Sequence, residues 1–152
     1  MDTTKFLISC GNKKSPIPIE AIDMYTGSYF LAIKEYLYRI GVNREDIYIL
    51  SAKYGIIHAN DIITPYNVKF GTKNPDIISV ENISKQVDKY NMNNFNKLYF
   101  IGGTEYKKIL NQTKLNYIDF LEERVYNNIV GKGMGYQISW FKKNGFVNLL
   151  DV

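Results

Sequence analysis

The chain has 152 residues, of which 45% are hydrophobic and 22% charged, as is typical of one globular domain rather than a disordered chain. No apolar run reaches the roughly 20 residues that a membrane-spanning helix requires, and the start, MDTTKFLISCGNKK, lacks the basic-then-apolar order of a signal peptide. One cysteine permits no internal disulfide, so we expect a cytoplasmic protein in which Cys10 is a free thiol. The net charge of +4 is compatible with a polyanionic partner.

The first half of the chain alternates short apolar runs with helical periodicity. Two prolines exclude a helix from the polar loop after the first apolar run, and Phe30, Ile33 and Leu37 recur at helical spacing behind Ser28, a plausible N-cap. The predicted elements are a strand at 5–10, a loop at 11–18, a short helix at 19–25, a helix at 29–40 and a strand at 46–51.

The second half continues the alternation. It predicts a helix at 79–91, a strand at 97–101, a helix at 104–110 capped by Thr104, a mostly helical segment at 115–128, a glycine-rich turn at 131–135 and a last helix at 136–143. Strands that alternate with helices indicate a single α/β domain over residues 1–152, with a mainly parallel sheet flanked by helices.

Three predicted strands end in distinctive loops, at residues 9–14, 51–55 and 102–104. In parallel sheets, ligands bind beyond the carboxyl ends of the strands, and these ends lie at one edge. We therefore predict that Lys13, Lys53, Tyr54 and Asp61 line one cleft at that edge.

The segment LSAKYGIIHANDIITPYNVKFGTK, residues 50–73, carries many side chains able to bind a ligand or transfer a proton. They are Ser51, Lys53, Tyr54, His58, Asn60, Asp61, Tyr66 and Asn67. One interpretation is a ligand site. The other is that Tyr54, Pro65 and Tyr66 pack a long irregular loop onto the sheet.

Other motifs leave alternatives open. Lys13 and Lys14 beside Gly11 can bind an anion or form a solvated loop, and Cys10 is either a nucleophile with His58 as its base or a structural thiol. The GKGMG turn, which contains Lys132, can hold a phosphate or simply begin a helix. One histidine and one cysteine provide no zinc spacing, so we expect no metal and no cofactor.

Five motifs occur in order: ISCGNKK, Ala21 with Tyr25, LSAKYG, Asp61 followed by Pro65-Tyr66, and GKGMGYQISW. In this order they resemble a phage- and bacteria-associated domain of unknown function that is similar to the peroxide stress protein YaaA family. The resemblance implies an α/β fold with a positively charged cleft and nucleic-acid binding. More distantly, the motifs resemble domains found with base-exchanging tRNA enzymes, and base-excising glycosylases. Asn67 and the segment His58-Ala59-Asn60 depart from the pattern.

Together these features predict a nucleotide or nucleic acid as partner. Tyrosine rings stack on bases, asparagine amides read base edges and lysines neutralise phosphate. Two function classes remain open: an enzyme that cleaves or exchanges a base–sugar bond with Asp61 as its catalytic carboxylate, or a non-catalytic protein that sequesters a nucleotide-derived signal or binds DNA. The predicted ligand-binding residues are Cys10, Lys13, Lys14, Tyr25, Ser51, Lys53, Tyr54, Gly55, His58, Asn60, Tyr66, Asn67, Gly103 and Lys132.

Overall fold

The computed structural model describes residues 3–146, which form an α/β domain around a five-stranded sheet. The strands are β1 (Thr4–Ser9), β2 (Ile19–Glu20), β3 (Ile47–Ser51), β4 (Gly55–His58), β5 (Ile62–Ile63), β6 (Lys97–Ile101) and β7 (Ile118–Asp119). The large sheet has the order β4-β3-β1-β6-β7, and β2 pairs with β5 in a separate two-stranded sheet. The predicted α/β class with a mainly parallel sheet flanked by helices is confirmed.

Strand β1 lies at the centre of the sheet. It pairs in parallel with β3, where Ile8 lies opposite Ile49, and with β6, where Ile8 lies opposite Ile101. Strand β7 is also parallel to β6, whereas β4 runs antiparallel to β3. Leu7 and Ile8 are both fully buried although they point to opposite faces. Helices therefore cover both sides of the central strand, as parallel sheets require.

Five α-helices flank the sheet: α1 (Ala21–Met24), α2 (Ser28–Arg39), α3 (Val80–Lys89), α4 (Thr104–Leu110) and α5 (Met134–Lys143). Helices α1, α2 and α5 pack on the face that contains Phe6 and Ile8. Helices α3 and α4 pack on the opposite face with Leu7. Each face thus has its own hydrophobic core, with β1 between the two.

The helix starts differ slightly from the prediction. Ser79 caps α3, since its Oγ accepts a hydrogen bond of 3.1 Å from the backbone N–H of Asn82. Ser28 and Thr104 are the first residues of α2 and α4 rather than their N-caps, because Gly27 and Gly103 occupy the extended cap conformation. Gly133 likewise precedes α5.

Three segments differ in structure from the sequence-based prediction. Residues 19–25 contain β2 before the short helix, and the predicted irregular loop after β3 contains the strand β4. Residues 115–128 are not mostly regular helix: β7 is followed by a π-helical turn at Leu121–Val125 and a 3-10 turn at Tyr126–Asn128. The reason is tertiary, because Ile118 pairs with Tyr99 and extends the sheet.

Within residues 3–146, no helix has the length and apolar character needed to cross a membrane.

Candidate functional site

A cleft of about 580 Å³ opens at the carboxyl edge of the parallel strands, where β1 and β6 end. We call it the edge cleft. Its walls come from residues 9–13 at the end of β1, 27–30 at the start of α2 and 69–70, together with Gly103, Glu105 and Tyr106 at the start of α4, and Met134 and Gln137 of α5. This is the edge at which parallel sheets bind ligands.

Close packing beneath the edge cleft depends on Gly102. A Cβ atom at this position would lie 2.5 Å from Cζ of Phe100 and 2.7 Å from Cβ of Ser9. The absence of a side chain therefore lets the end of β6 approach the end of β1. Gly103, the next residue, lines the cleft, and a Cβ atom added there would have no neighbour within 4 Å.

Two lysines and one carboxylate, that of Glu105, are among the residues that line the edge cleft. Lys13 and Lys69 line it, and the Cβ of Lys13 lies beside Gly27, the N-cap of α2. Helix α2 has 12 residues, and a glycine N-cap provides no side-chain acceptor for the first amides of the helix. The amino end of the helix dipole and two ammonium groups thus favour an anion in this part of the cleft.

Aromatic side chains form much of the remaining wall. Phe70 and Tyr106 pack edge to face with ring centroids 5.5 Å apart. The Tyr106 hydroxyl lies 3.2 Å from the Cys10 thiol, and it also donates a 3.3 Å hydrogen bond to the Cys10 carbonyl. On the α2 side, the Tyr29 hydroxyl donates to the side-chain carbonyl of Gln137. Both tyrosines are therefore held in fixed orientations.

A hydroxyl network lies next to the edge cleft, at the carboxyl end of β3. Ser51 donates to the Tyr66 hydroxyl at 2.7 Å, and the Tyr66 and Tyr25 hydroxyls are 2.6 Å apart. Burial, and next the nearby Cys10, raise the pKa of both phenols above the usual tyrosine value. The Lys14 ammonium lies 4.5 Å from the centroid of the Tyr66 ring.

Lys14 connects this network to the edge cleft. The pKa of Lys14 lies below the usual lysine value, mainly because the side chain is partly buried. Cys10 raises this pKa and Lys69 lowers it, so both are close enough to Lys14 to interact with it electrostatically. Cys10 and Lys69 both line the cleft. Lys14 itself lies just outside the lining, with its ammonium donating a 3.2 Å hydrogen bond to the Asn12 carbonyl.

Lys53 and Tyr54 lie at the same edge, in the turn between β3 and β4. The Tyr54 ring packs edge to face against Tyr66, with centroids 5.4 Å apart, and its hydroxyl lies 2.8 Å from the Thr64 hydroxyl. Lys53 and Tyr54 are not part of the cleft lining. Gly55 has a structural role, since its φ of +75° reverses the chain.

The predicted catalytic carboxylate, Asp61, lies at the opposite end of the sheet. Strand β4 runs antiparallel to β3, so His58 lies opposite Tyr48 near the amino end of β3, and Asp61 follows it. Its Oδ2 accepts a 2.9 Å hydrogen bond from the His58 backbone N–H. The prediction that Asp61 shares a cleft with Lys13 is therefore wrong, because the hairpin at Gly55 returns the chain to the other end.

The same reversal separates other predicted partners. His58 and Cys10 do not meet, because the His58 Nε2 lies 3.0 Å from the Glu45 carbonyl at the amino end of β3. Its Nδ1 accepts from the Asn60 backbone at 3.1 Å, which assigns the proton to Nε2. Asn60 is exposed at that same end of the sheet, away from the edge cleft. The prediction that His58 and Asn60 belong to one site with Lys13 is therefore wrong as well.

Two further predicted residues lie outside the cleft lining. Asn67 is exposed on the segment that leads to Lys69. The Lys132 ammonium lies 3.6 Å from Glu122 and 5.0 Å from the centroid of the Tyr126 ring. The backbone of Lys132 is nevertheless held near the cleft, because its carbonyl accepts a 2.7 Å hydrogen bond from Gln137.

Several lining residues are not predicted from the sequence. Among them are Asn12, Gly27, Tyr29, Lys69, Phe70, Glu105, Tyr106 and Gln137. One signal could have found Glu105 and Tyr106, because a helix that begins immediately after a strand places its first turn at the strand's carboxyl edge. No sequence pattern indicates that Phe70 reaches Tyr106.

Among the described residues, no group of three or more His, Cys, Asp and Glu side chains is placed to hold a metal ion.

Comparisons with known proteins identify relatives without an assigned activity. The chain is 29% identical over 112 residues to the uncharacterized protein YfjM from Bacillus subtilis (strain 168), a match that covers 69% of this chain and 73% of the relative. No solved structure matches the chain significantly. A family of unknown function, DUF6884, matches residues 6–143, and the chain therefore belongs to that family.

Proposed function

We propose that the protein binds a nucleotide unit in the edge cleft. The observation that carries this proposal is the combination, in one cleft of about 580 Å³, of two lysines, a glycine-capped helix start and aromatic rings, among them Tyr29, Phe70 and Tyr106. Ligand sites for small molecules have volumes of roughly 300–1,000 Å³ and combine apolar walls with a few placed polar groups. A nucleotide offers an anionic phosphate for the lysines and the helix start, and a flat base for the aromatic rings.

The phosphate is expected at the α2 side of the cleft. Lys13 lies beside Gly27, and the backbone amides of the first turn of α2 carry the positive end of the helix dipole. Lys69, which also lines the cleft, supplies a second ammonium. Hydrogen bonds from ammonium groups to phosphate are charge-assisted and are stronger than neutral ones.

The base is expected against the aromatic wall. Tyr29, Phe70 and Tyr106 line the cleft and offer ring surface for stacking, which contributes roughly 1–3 kcal/mol per base. The exposed side chain of Asn12 also lines the cleft and has both a donor and an acceptor for the edge of a base. Gln137 is less suited, because Tyr29, Tyr126 and Lys132 already occupy its amide.

Isothermal titration calorimetry with nucleoside monophosphates and the matching nucleosides tests the proposal. The monophosphates should bind about tenfold or more tightly than the nucleosides, and Lys13→Ala and Lys69→Ala should each weaken nucleotide binding by about tenfold, ~1.5 kcal/mol. Lys97→Ala is the matched control, since Lys97 is an exposed lysine at the amino end of β6. Equal binding of nucleosides and nucleotides, or no binding of either, would overturn the proposal.

Cleavage of a base–sugar bond is a second candidate function. The observation that favours it is Glu105, a carboxylate that lines the edge cleft, whereas Asp61 lies at the other end of the sheet. A carboxylate beside the sugar stabilises the cationic centre that forms as the bond to the base breaks and water adds to the anomeric carbon. Without such turnover, the protein is a binder that retains its ligand unchanged.

Mass spectrometry of nucleotides and oligonucleotides incubated with the protein separates these alternatives. Release of a free base by the wild type, lost in Glu105→Gln while binding persists, supports the enzyme. Ligand recovered intact supports the binder. Asp61→Asn is the control for a carboxylate outside the cleft.

A further inference from the structure

We propose that the edge cleft is one end of a longer groove for single-stranded nucleic acid. The groove continues across Lys14, Lys53, Tyr54 and Tyr66, which we call the platform. This inference rests on the proposed nucleotide binding in the cleft, and it identifies the ligand as a polymer rather than a free nucleotide.

Two aromatic rings lie side by side along the platform, with a cationic group next to each ring. The Lys14 ammonium lies 4.5 Å from the Tyr66 centroid, the Tyr66 and Tyr54 centroids are 5.4 Å apart, and the Lys53 ammonium lies 5.4 Å from the Tyr54 centroid. Proteins that bind single strands combine cations along the backbone with rings that stack on successive bases. The Tyr54 and Tyr66 rings are nearly perpendicular, so two bases that stack on them would be turned relative to each other, as they can be in an unpaired strand but not in a duplex.

The rings of the platform are held in place before any ligand binds. Ser51 and Tyr25 fix the Tyr66 hydroxyl, and the Thr64 hydroxyl fixes that of Tyr54. Ser51 also accepts hydrogen bonds from the backbone N–H groups of Lys53 and Tyr54, at 3.2 and 3.1 Å. Less side-chain entropy is therefore lost when a base stacks on these rings.

The lysines of the platform and cleft keep their charge available. In residues 3–146, carboxylates pair with Lys5, Lys34, Lys85, Lys107, Lys108, Lys114 and Lys132. None of the ion pairs in this part of the chain involves Lys13, Lys14, Lys53 or Lys69. These ammonium groups can therefore neutralise phosphates without first giving up a carboxylate partner.

The platform lies next to the edge cleft, at the adjacent carboxyl ends of β1 and β3. Lys14 lies over the Tyr66 ring on one side and is an electrostatic neighbour of the cleft residues Cys10 and Lys69 on the other. The carboxyl ends of β1 and β3 are adjacent, since the Cys10 N–H donates a 3.0 Å hydrogen bond to the Leu50 carbonyl. A strand leaving the cleft therefore reaches Tyr66 and Tyr54 without crossing the sheet.

A single strand fits this surface better than a duplex. Bases in a duplex are stacked on one another and present only their edges, whereas rings recognise the faces of unpaired bases. DNA and RNA share the phosphate and base chemistry on which the proposal depends. Matched oligothymidylate and oligouridylate series distinguish the two sources.

Fluorescence anisotropy competition with thymidylate and uridylate ligands, from the mononucleotide to about six nucleotides, tests the proposal. Affinity should rise by tenfold or more from the mononucleotide to the longer oligomers of at least one series. Tyr54→Ala and the charge reversal Lys53→Glu should each weaken oligomer binding by about fivefold or more and leave mononucleotide binding unchanged. Tyr54→Phe, which keeps the ring, should bind as the wild type does, and so should Lys97→Glu.

The outcomes separate this inference from the proposed function. If oligomers bind no more tightly than the mononucleotide, or if Lys53→Glu binds them as the wild type does, the groove is overturned while the nucleotide site stands. A duplex that binds as tightly as the single strand also overturns it. If neither mononucleotides nor oligomers bind, the proposed function fails and this inference fails with it.

Discussion

The thiol of Cys10 lies 3.2 Å from the hydroxyl of Tyr106, across the gap between the end of β1 and the first turn of α4. Cys10 is a free and partly exposed cysteine, and both residues line the edge cleft. The thiol is thus a chemical reporter inside the candidate site. It is also the single cysteine of the chain, so its modification can be measured without interference.

We expect a nucleoside monophosphate bound in the cleft to slow alkylation of Cys10 by iodoacetamide several-fold, because the ligand covers the thiol. Mass spectrometry of the intact protein at successive times measures the rate. Lys69→Ala, which weakens binding, should lose the protection at the same nucleotide concentration. Protection that persists unchanged in this variant would show that Lys69 does not contribute to binding, and a lack of protection in the wild type would place the nucleotide elsewhere.

Asp61→Asn should leave ligand binding in the edge cleft unchanged, because Asp61 lies at the opposite end of the sheet. Its effect is on stability, since its carboxylate accepts a hydrogen bond from the His58 backbone. Asparagine keeps an acceptor oxygen, whereas Asp61→Ala loses it and should lower the free energy of unfolding by about 1 kcal/mol. Urea unfolding compares the variants. A large loss of ligand affinity in Asp61→Asn would contradict this assignment.

Gly102→Ala should destabilise the protein, because the added Cβ would lie 2.5 Å from the Phe100 ring and 2.7 Å from Ser9. Overpacking of this kind costs roughly 1–3 kcal/mol. Gly103→Ala is a matched control, since no atom lies within 4 Å of its added Cβ. We expect its unfolding midpoint in urea to remain close to that of the wild type. Equal stability of both variants would show that β1 and β6 pack less closely at this edge.

Folding stability should fall at alkaline pH. Burial, as the largest cause, raises the pKa of Tyr25, Tyr29, Tyr66 and Tyr106 above the usual tyrosine value of 10.0. The stability that these phenols contribute is therefore fully present below pH 10 and is lost as the pH rises above it. The free energy of unfolding should decrease by up to about 1.4 kcal/mol per pH unit for each tyrosine.

Urea unfolding between pH 8 and 11 measures this slope. Tyr25→Phe removes one titrating group and should give a shallower slope than the wild type, whatever its stability at neutral pH. Lys14 acts in the opposite sense, because its lowered pKa makes the folded state bind fewer protons near pH 10.5. Lys14 is a single group, whereas burial raises the pKa of the four tyrosines named above and also that of Tyr36, Tyr48, Tyr90, Tyr117 and Tyr126. A stability that stays constant above pH 10 would contradict the prediction.

Much of the fold can be predicted from the sequence. The apolar run Lys97–Ile101 predicts a strand with the bounds that the structure has, and the helix predicted at 79–91 corresponds to α3, Val80–Lys89. Such features depend on the periodicity and capping preferences of neighbouring residues, which the sequence shows directly. The placement of Lys13 at the carboxyl edge follows as well, because it comes directly after a strand in a parallel sheet.

Local sequence patterns are therefore sufficient for the α/β class, for the elements with strong periodicity and for the edge at which a ligand would bind. Which side chains reach that edge depends on tertiary packing. Gly55, with its positive φ, turns the segment after β3 into a hairpin, which carries His58 and Asp61 to the other end while Tyr66 returns to contact Ser51 and Tyr25. The edge cleft likewise depends on Phe70 meeting Tyr106, a contact between residues far apart in the chain. Local pattern cannot predict such contacts, because the whole chain must pack before they form.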